Sequence, residues 1–453
     1  MSLKISRVLH AGYVFQTENT RIIFDPIFEN PFSRNCFAYP DIEFDFDKIR
    51  EQVFSAVFIS HIHDDHCSLE SLNLIKRETP IYIYTTQLEI IHLIQDLGFE
   101  TVTSLKLDQT ISINDFEITP RKALDDEVDS IFQIKSQGFN VLNVVDSWVG
   151  YDTLEQLSKS NPWDLVLWPF QTMREIGVLS PYRADPAVKN LPEEWLDQIK
   201  QLNPRYVVPS SCQFIHERWS WYNGFMFPIT YEQFALDVQE ASPCTQIIRL
   251  DPSQSICLSS SGLNSIEPLS WVKLKDSPHE IDYVLDEKLI PTSTAVIAQN
   301  FSPLTPEQTK FVEQYCLYDL IERYSKLNHD EQSYFFIKER TWKLSVYDHS
   351  GKERQFIYKI NGYSIKIVKT LDILTSISWT TEVPVSRLYG AIVNGESLTS
   401  MYMRINEHRL SEDVESELSS VDILEDPLIR CLFQGQSCSY QKAQLKALRA
   451  TCS

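Results

Sequence analysis

The sequence predicts an α/β protein of two domains, and three observations carry that prediction. Over roughly the first 260 residues, short apolar runs of strand length alternate with turns and helical stretches. Beyond about residue 265 the pattern changes to a long helix, a meander and further helices. One apolar run ends in "HIHDDH" (61–66), three histidines and two aspartates within six positions.

The elements follow in chain order. "RIIFDPIF" (21–28), "SAVFIS" (55–60), "IYIYTT" (81–86), "GFNVLNVVDS" (138–147), "WDLVLWPF" (163–170) and "RYVVPSSCQF" (205–214) are apolar, rich in β-branched and aromatic residues, and bounded by turn formers. "TTQLEIIHLIQDLGF" (85–99) and "LPEEWLDQIKQL" (191–202) carry helical periodicity, and His92 in the first of them reads as a packed helix residue. Such alternation places sheets between helices. In the second region "LTPEQTKFVEQYCLYDLIERYSK" (304–326) is a helix, with Thr305 as cap, Pro306 in the first turn and Gln308 closing a capping box. "WKLSVYD", "RQFIYKIN" and "YSIKIVK" form a hairpin or meander, and helical segments are expected around 371–395 and 396–410. The acidic stretch 411–427 reads as a solvated linker or helix face, and the closing "QKAQLKALRATCS" as a frayed basic helix. These readings divide the chain into 1–265 and 266–453, an α+β C-terminal domain.

Composition narrows the function. The chain has 453 residues, 43% of them hydrophobic, enough for two cores. With 41 Lys+Arg against 62 Asp+Glu the formal charge is -21, which disfavours a nucleic-acid partner or an anionic membrane surface. No run is long enough to span a bilayer and the first residues lack an apolar signal core, so a cytoplasmic protein is expected. Nine scattered cysteines without CxxC spacing point to a reducing compartment, not to disulfides or a zinc ribbon.

The histidine cluster points to metal. Residues i and i+2 of an extended segment face the same way, so His61 and His63 can share one ion. Asp65 and His66 follow after the chain has turned and can hold a second ion or the other side of the first. Imidazole with carboxylate suits Zn, Fe or Mn, one or two divalent ions.

The motif His61-Ile62-His63-Asp64-Asp65-His66 resembles the HxHxDH signature of the metallo-β-lactamase superfamily, and "HAGYVFQTENTRIIFDP" (10–26) is similar to its opening hairpin. The resemblance covers roughly residues 5–225 and implies a four-layer αβ/βα sandwich with a metal site at one edge. It also implies Asp146, at the end of "NVLNVVDS", as the metal-bridging aspartate. Two family ligands have no plain counterpart. Where a further histidine is usual stands "RKALDDEVDS" (121–130), whose Asp125, Asp126, Glu127 and Asp129 offer carboxylates, and Asp126 is the expected replacement. Where the last histidine is usual stand Ser211 and Cys212, with His216 a few residues on as ligand or catalytic acid/base.

The resemblance implies a hydrolase of a small phosphoester, ester or lactone, with metal-activated water and Asp65 holding or deprotonating the nucleophile. The branches most similar in pattern are the ascorbate-phosphate lactonases and phospholipase-D-like enzymes. A second reading is a diiron oxygenase or oxidase. It rests on a two-histidine, one-carboxylate set and on a resemblance to the core of CMP-N-acetylneuraminate hydroxylase. This chain lacks the cysteine-histidine pairs of that family's Rieske cluster, so a separate electron donor would be needed. A third reading is a non-catalytic metal-binding module. The aromatic stretch "HERWSWYNGFMFP" (216–228) could wall a pocket for an apolar part of a small-molecule substrate, and Arg174, Arg183 or Arg218 could meet an anionic part. The C-terminal region is loosely similar to a sterol-carrier-like domain.

Overall fold

A computed structural model of the chain describes residues 2–125, 127–275, 281–368, 377–408, 410–436 and 438–451. Six strands begin the larger sheet: β1 (Ser2–Leu9), β2 (Gly12–Gln16), β3 (Arg21–Phe24), β4 (Ala56–Ile59), β5 (Ile81–Ile83) and β6 (Val102–Ser104). Seven more form a second sheet: β7 (Ile111–Ile113), β8 (Phe116–Lys122), β9 (Ser130–Ser136), β10 (Phe139–Asn143), β11 (Leu165–Pro169), β12 (Tyr206–Ser210) and β13 (Gln246–Ile247). The chain then returns to the first sheet with β14 (Ser255–Ser259) and β15 (Gly262–Ile266). The orders are β15-β14-β1-β2-β3-β4-β5-β6 and β13-β12-β11-β10-β9-β8-β7.

In both sheets antiparallel hairpins lead into parallel strands. β3 to β6 run parallel in the first sheet, with Phe24 opposite Phe58. β10 to β13 run parallel in the second, with Leu167 opposite Val208. One buried cluster joins the two sheets: Ile5, Phe15, Phe24 and Phe58 from the first meet Ile118, Phe132, Leu165 and Val208 from the second. This interior drives the sandwich, because both inner faces are apolar.

Helices complete the four layers. α1 (Leu88–Asp96) lies against β6, burying Ile90 and Ile94. α2 (Glu193–Leu202) and α3 (Tyr231–Ala241) pack together, with Trp195, Ile199, Phe234 and Val238 buried. His92 is exposed and not packed, because it lies between the buried positions 90 and 94 on the opposite side of the helix.

The chain divides into two compact units, one of Met1–Met173, Ala187–Glu287 and Gln441–Ser453, the other of Arg174–Pro186 and Lys288–Tyr440. The described residues of 266–287, which the sequence assigns to the C-terminal domain, belong to the first unit, and two of their side chains are tied there. The Tyr283 hydroxyl donates to the carbonyls of Cys212 and Phe214, and the Asp282 carboxylate accepts from the backbone N–H of Tyr231.

The second unit is α+β. α4 (Pro306–Gln314) starts with the capping box of Thr305 and Gln308, and continues through a wide turn at Tyr315–Asp319 into α5 (Leu320–Lys326). A five-stranded sheet follows: β16 (Arg340–Tyr347), β17 (Glu353–Asn361), β18 (Ser364–Ile367), β19 (Trp379–Pro384) and β20 (Arg404–Ile405), in the order β18-β17-β16-β19-β20. The first three are the expected meander. β19 is a strand where a helix was expected: its β-branched "WTTEV" is buried at every position and pairs parallel with β16. Residues 371–376 of that expectation lie outside the described residues. α6 (Val385–Asn394) and α7 (Pro427–Phe433) bury Leu388, Leu428 and Ile429 against the same sheet core.

The acidic stretch is anchored at three points. Glu415 pairs with Arg183 at 2.8 Å, and Glu417 pairs with Lys338 and Arg340. Asp426 is fully buried, caps α7 through the N–H groups of Leu428 and Ile429, and accepts from Trp379 Nε1 at 2.7 Å. The last helix, α8 (Ser439–Thr451), is not frayed, since Gln441 and Gln444 are each 2% exposed. Among the described residues no helix is long and apolar enough to cross a membrane, and the cysteines are free.

Candidate metal centre

Side chains from the ends of both sheets meet in the first unit. His61, His63, Asp65 and His66 lie in the loop after β4, Asp25 follows β3, Asp129 directly precedes β9 and Asp146 follows β10. His10 sits in the turn between β1 and β2. The loops beyond the carboxyl ends of parallel strands are where α/β sheets place their ligands, because the backbone has left the ladder there and side chains are free to converge.

These residues form two donor groups. His10, Asp65, His66 and Asp146 make one, and His61, His63 and Asp129 the other; within each group the candidate ligand atoms lie within 4.8 Å of one another. In the first, His66 Nε2 is 3.2 Å from His10 Nε2, 3.0 Å from Asp146 Oδ2 and 3.5 Å from Asp65 Oδ2. In the second, His61 Nε2 is 3.0 Å from His63 Nδ1 and 3.8 Å from Asp129 Oδ1. His63 is exposed, and the Asp65, Asp129 and Asp146 side chains retain 22%, 20% and 19% exposure, so solvent reaches the site.

A second row of contacts fixes the histidine rings. Ser60 donates its N–H (2.7 Å) and its hydroxyl (2.8 Å) to Asp25. The same hydroxyl oxygen then accepts from His61 Nδ1 at 2.9 Å, and Asp25 Oδ2 accepts from His66 Nδ1 at 3.1 Å. With Nδ1 of each ring tied back to Ser60 or Asp25, both rings turn Nε2 into the site, the nitrogen a metal ligand would use. Gly12 keeps the neighbouring hairpin close: a Cβ there would stand 2.8 Å from the Asp25 carbonyl and 2.9 Å from that of Leu9.

The backbone around the site is strained. His10, Asp25, Val145, Ser211 and Cys212 all have positive φ, from 41° to 65°, and Val145 is β-branched. Each such residue costs on the order of 1–3 kcal/mol, and conformations of this kind collect where a site dictates geometry.

Electrostatics agree with a cation site. Burial opposes charge on His66, but the carboxylates of Asp146 and Asp65 outweigh it and hold this histidine well above its ordinary pKa. Burial also opposes charge on Asp65 and Asp146, yet His66 keeps both below the usual carboxylate range. Burial, then the neighbouring His66 and His63, pushes His61 well below its usual value. Asp129 and Asp64 are each raised to about 6, by burial first and then by Asp146 and Asp65 respectively. Oδ1 of Asp129 and Oδ1 of Asp146 are buried without a hydrogen-bond partner. Buried carboxylate oxygens left unpaired beside imidazole nitrogens are what a divalent cation satisfies.

Of the residues expected from sequence, His61, His63, Asp65, His66 and Asp146 come together. Asp126 lies outside the described residues, and Asp129 from the same acidic stretch stands in the second group. His216 belongs to neither group: it is 1% exposed, its Nε2 is 3.2 Å from Met226 Sδ, and it packs against Phe214, Tyr222 and Phe227. The aromatic stretch around it is largely core, with Trp221, Tyr222, Met226 and Phe227 all buried. Sequence reasoning missed His10, Asp25 as the partner of His66, and two glutamines of α8. Gln441 Nε2 donates to the carbonyls of Ile62 and Cys67, both at 2.9 Å. Gln444 accepts from Leu69 N–H at 2.8 Å and donates to Ser68 Oγ at 2.9 Å. The ligand loop is thus held at both its ends by the last helix of the chain.

Comparison with known proteins places the first part of the chain. Residues 4–211, less than half of the chain, match the family model described as the beta-lactamase superfamily domain. No curated protein matches the chain. Among solved structures it is similar to Igni18, a metallo hydrolase from Ignicoccus hospitalis, with 15% identity, 57% of this chain and 99% of that one covered, and a TM-score of 0.39. A possible metal-dependent hydrolase from Veillonella parvula matches with 13% identity, 56% and 99% coverage, and a TM-score of 0.41. CmlA, a diiron β-hydroxylase from Streptomyces venezuelae, matches with 14% identity, 59% and 54% coverage, and a TM-score of 0.40.

Proposed function

Taking residues 4–211 as a metallo-β-lactamase-fold domain, we propose that the chain is a hydrolase of a small phosphoester, ester or lactone that works with two divalent ions. The observation that carries this reading is the pair of adjacent donor groups where the strand ends of both sheets meet. His61, His63 and Asp129 would hold one ion; Asp65, His66 and Asp146 would hold the other. Asp146 offers a free Oδ1 beside its Oδ2 contact with His66, which suits a carboxylate serving both groups. Bound there, divalent ions would supply Lewis-acid polarisation of a substrate oxygen and an acidified water.

The chain's own residues do the rest. Ser60 and Asp25 keep His61 and His66 oriented, so the ligands need little rearrangement on loading. Asp65 stays ionised, which makes it a better ligand and hydrogen-bond acceptor than a proton carrier. His216 takes no part in this reading, because its ring is enclosed by aromatic side chains.

One observation favours a second reading. With Asp129 as its third member, the His61 group is a two-histidine, one-carboxylate set, which suits iron and oxygen chemistry. An oxygenase of this kind would draw electrons from a partner or from its substrate. Protein loaded separately with zinc, manganese or anaerobic iron(II) distinguishes the two. Turnover of phosphodiesters or lactones by the zinc or manganese form, lost in Asp146→Asn, supports the hydrolase. Oxygen uptake by the reduced iron form alone supports the oxygenase. Neither activity in fully loaded protein would leave a metal-binding module.

A further inference from the structure

His10 completes the first donor group by distance alone, and hydrogen bonding argues against its being a ligand. Its carbonyl accepts two N–H groups of the buried Arg7 guanidinium, at 3.2 Å from Nε and 2.8 Å from Nη2. Its ring is 1% exposed, against Phe32, Phe214 and His66. Nδ1 faces the backbone N–H of Cys212 at 3.0 Å. Two successive left-handed residues, Ser211 (φ 43°) and Cys212 (φ 50°), aim that N–H at the ring.

A backbone amide only donates, so Nδ1 of His10 must present its lone pair. A neutral imidazole then carries its proton on Nε2. A ligating Nε2 needs a lone pair of its own, and both nitrogens are bare only in the imidazolate. His61 and His66 are the reverse case, each with Nδ1 donating to a fixed acceptor and Nε2 turned into the site. Within reach of His10 Nε2 are the carboxylate Oδ2 of Asp65, at 3.1 Å, and His66 Nε2, at 3.2 Å, with Asp146 Oδ2 at 4.0 Å; His66 already donates its Nε2 proton to Asp146, so Asp65 is the acceptor.

We infer that His10 is a positioning residue, not a metal ligand: it donates its Nε2 proton to Asp65 Oδ2 and so holds that carboxylate in place at the site. The inference rests on the two-ion reading above. It leaves Asp65, His66 and Asp146 as the residues that would hold the second ion. The Cys212 N–H sets the tautomer, which gives the strained turn at 211–212 a role.

Zinc-loaded protein with 15N-labelled histidine tests this, through long-range proton-nitrogen correlations of the rings, with zinc per chain measured on the same samples. His10 is expected to show a protonated Nε2 and an unprotonated Nδ1. His10→Gln is expected to bind two zinc ions at saturation, with the affinity for one weakened on the order of tenfold, the effect typical of losing a partner of a ligand. His66→Gln is expected to lose one ion. A His10 ring bound through Nε2, or loss of one zinc from His10→Gln to the same extent as from His66→Gln, overturns the inference. Wild-type protein that takes up no zinc overturns the metal reading, and the inference with it. Should His10→Gln fail to fold, the ring spectrum of the wild type decides alone.

Discussion

Replacing His216 by Phe should remove a specific acid sensitivity from the fold. The folded protein buries this ring among Phe214, Tyr222 and Phe227, and burial pushes its pKa from the ordinary 6.5 to about 3. Between those values the unfolded chain binds a proton that the folded chain refuses. Stability contributed by His216 is therefore intact above pH 6.5 and falls as the pH drops toward 3. Integrating the two titrations from pH 7 to pH 5 gives a loss of about 2 kcal/mol from this one group. Urea unfolding of wild type and His216→Phe at both pH values isolates it, because all other titrating groups cancel in the difference. The gap between the proteins should shift by about 2 kcal/mol in favour of the variant at pH 5. A gap that does not change with pH would refute the argument, and would mean that the ring is not shut away from protons.

Three further outcomes are expected. Asp129→Asn should reduce bound metal by one ion per chain, whereas Glu127→Gln, at an exposed position of the same acidic stretch, should leave metal content unchanged; both are read by elemental analysis. Asp25→Asn removes the carboxylate that orients His66, and should weaken binding of one ion by roughly 10–100-fold in a chelator competition. Gln441→Ala deletes two hydrogen bonds to the ligand loop, one of them buried, so stability should fall by about 2 kcal/mol and metal should exchange faster. Unchanged exchange would mean that the loop holds its shape without the helix.

The parts of the site written in one short segment were readable from sequence. His61, His63, Asp65 and His66 lie within six residues at the end of an apolar strand, and two side chains at i and i+2 must face the same way. Asp129 was one of four carboxylates in a loop, and spacing cannot choose among them. What singles it out is that it directly precedes β9, whose pairing with β8 and β10 fixes where its side chain points. His10 sits in an apolar hairpin turn, where only the tertiary contact with Cys212 distinguishes it from a core residue. His216 lies a short distance beyond a plausible ligand position, but the left-handed pair at 211–212 redirects the chain before it. α8 looked like a frayed end because hydropathy counts glutamine as surface, and buried glutamines are explained only by the carbonyls they meet. β19 was misread as helix because its neighbours carry helical periodicity, while its own β-branched residues are buried at every position by pairing with a strand that precedes it by over thirty residues.

The central claim is that the two donor groups each hold an ion. A crystal structure of metal-loaded protein, with anomalous differences recorded at the edge of the bound metal, tests it directly. Two peaks are expected, one among His61, His63 and Asp129 and one among Asp65, His66 and Asp146. Peaks elsewhere, or none at either group in folded, metal-saturated protein, would contradict it.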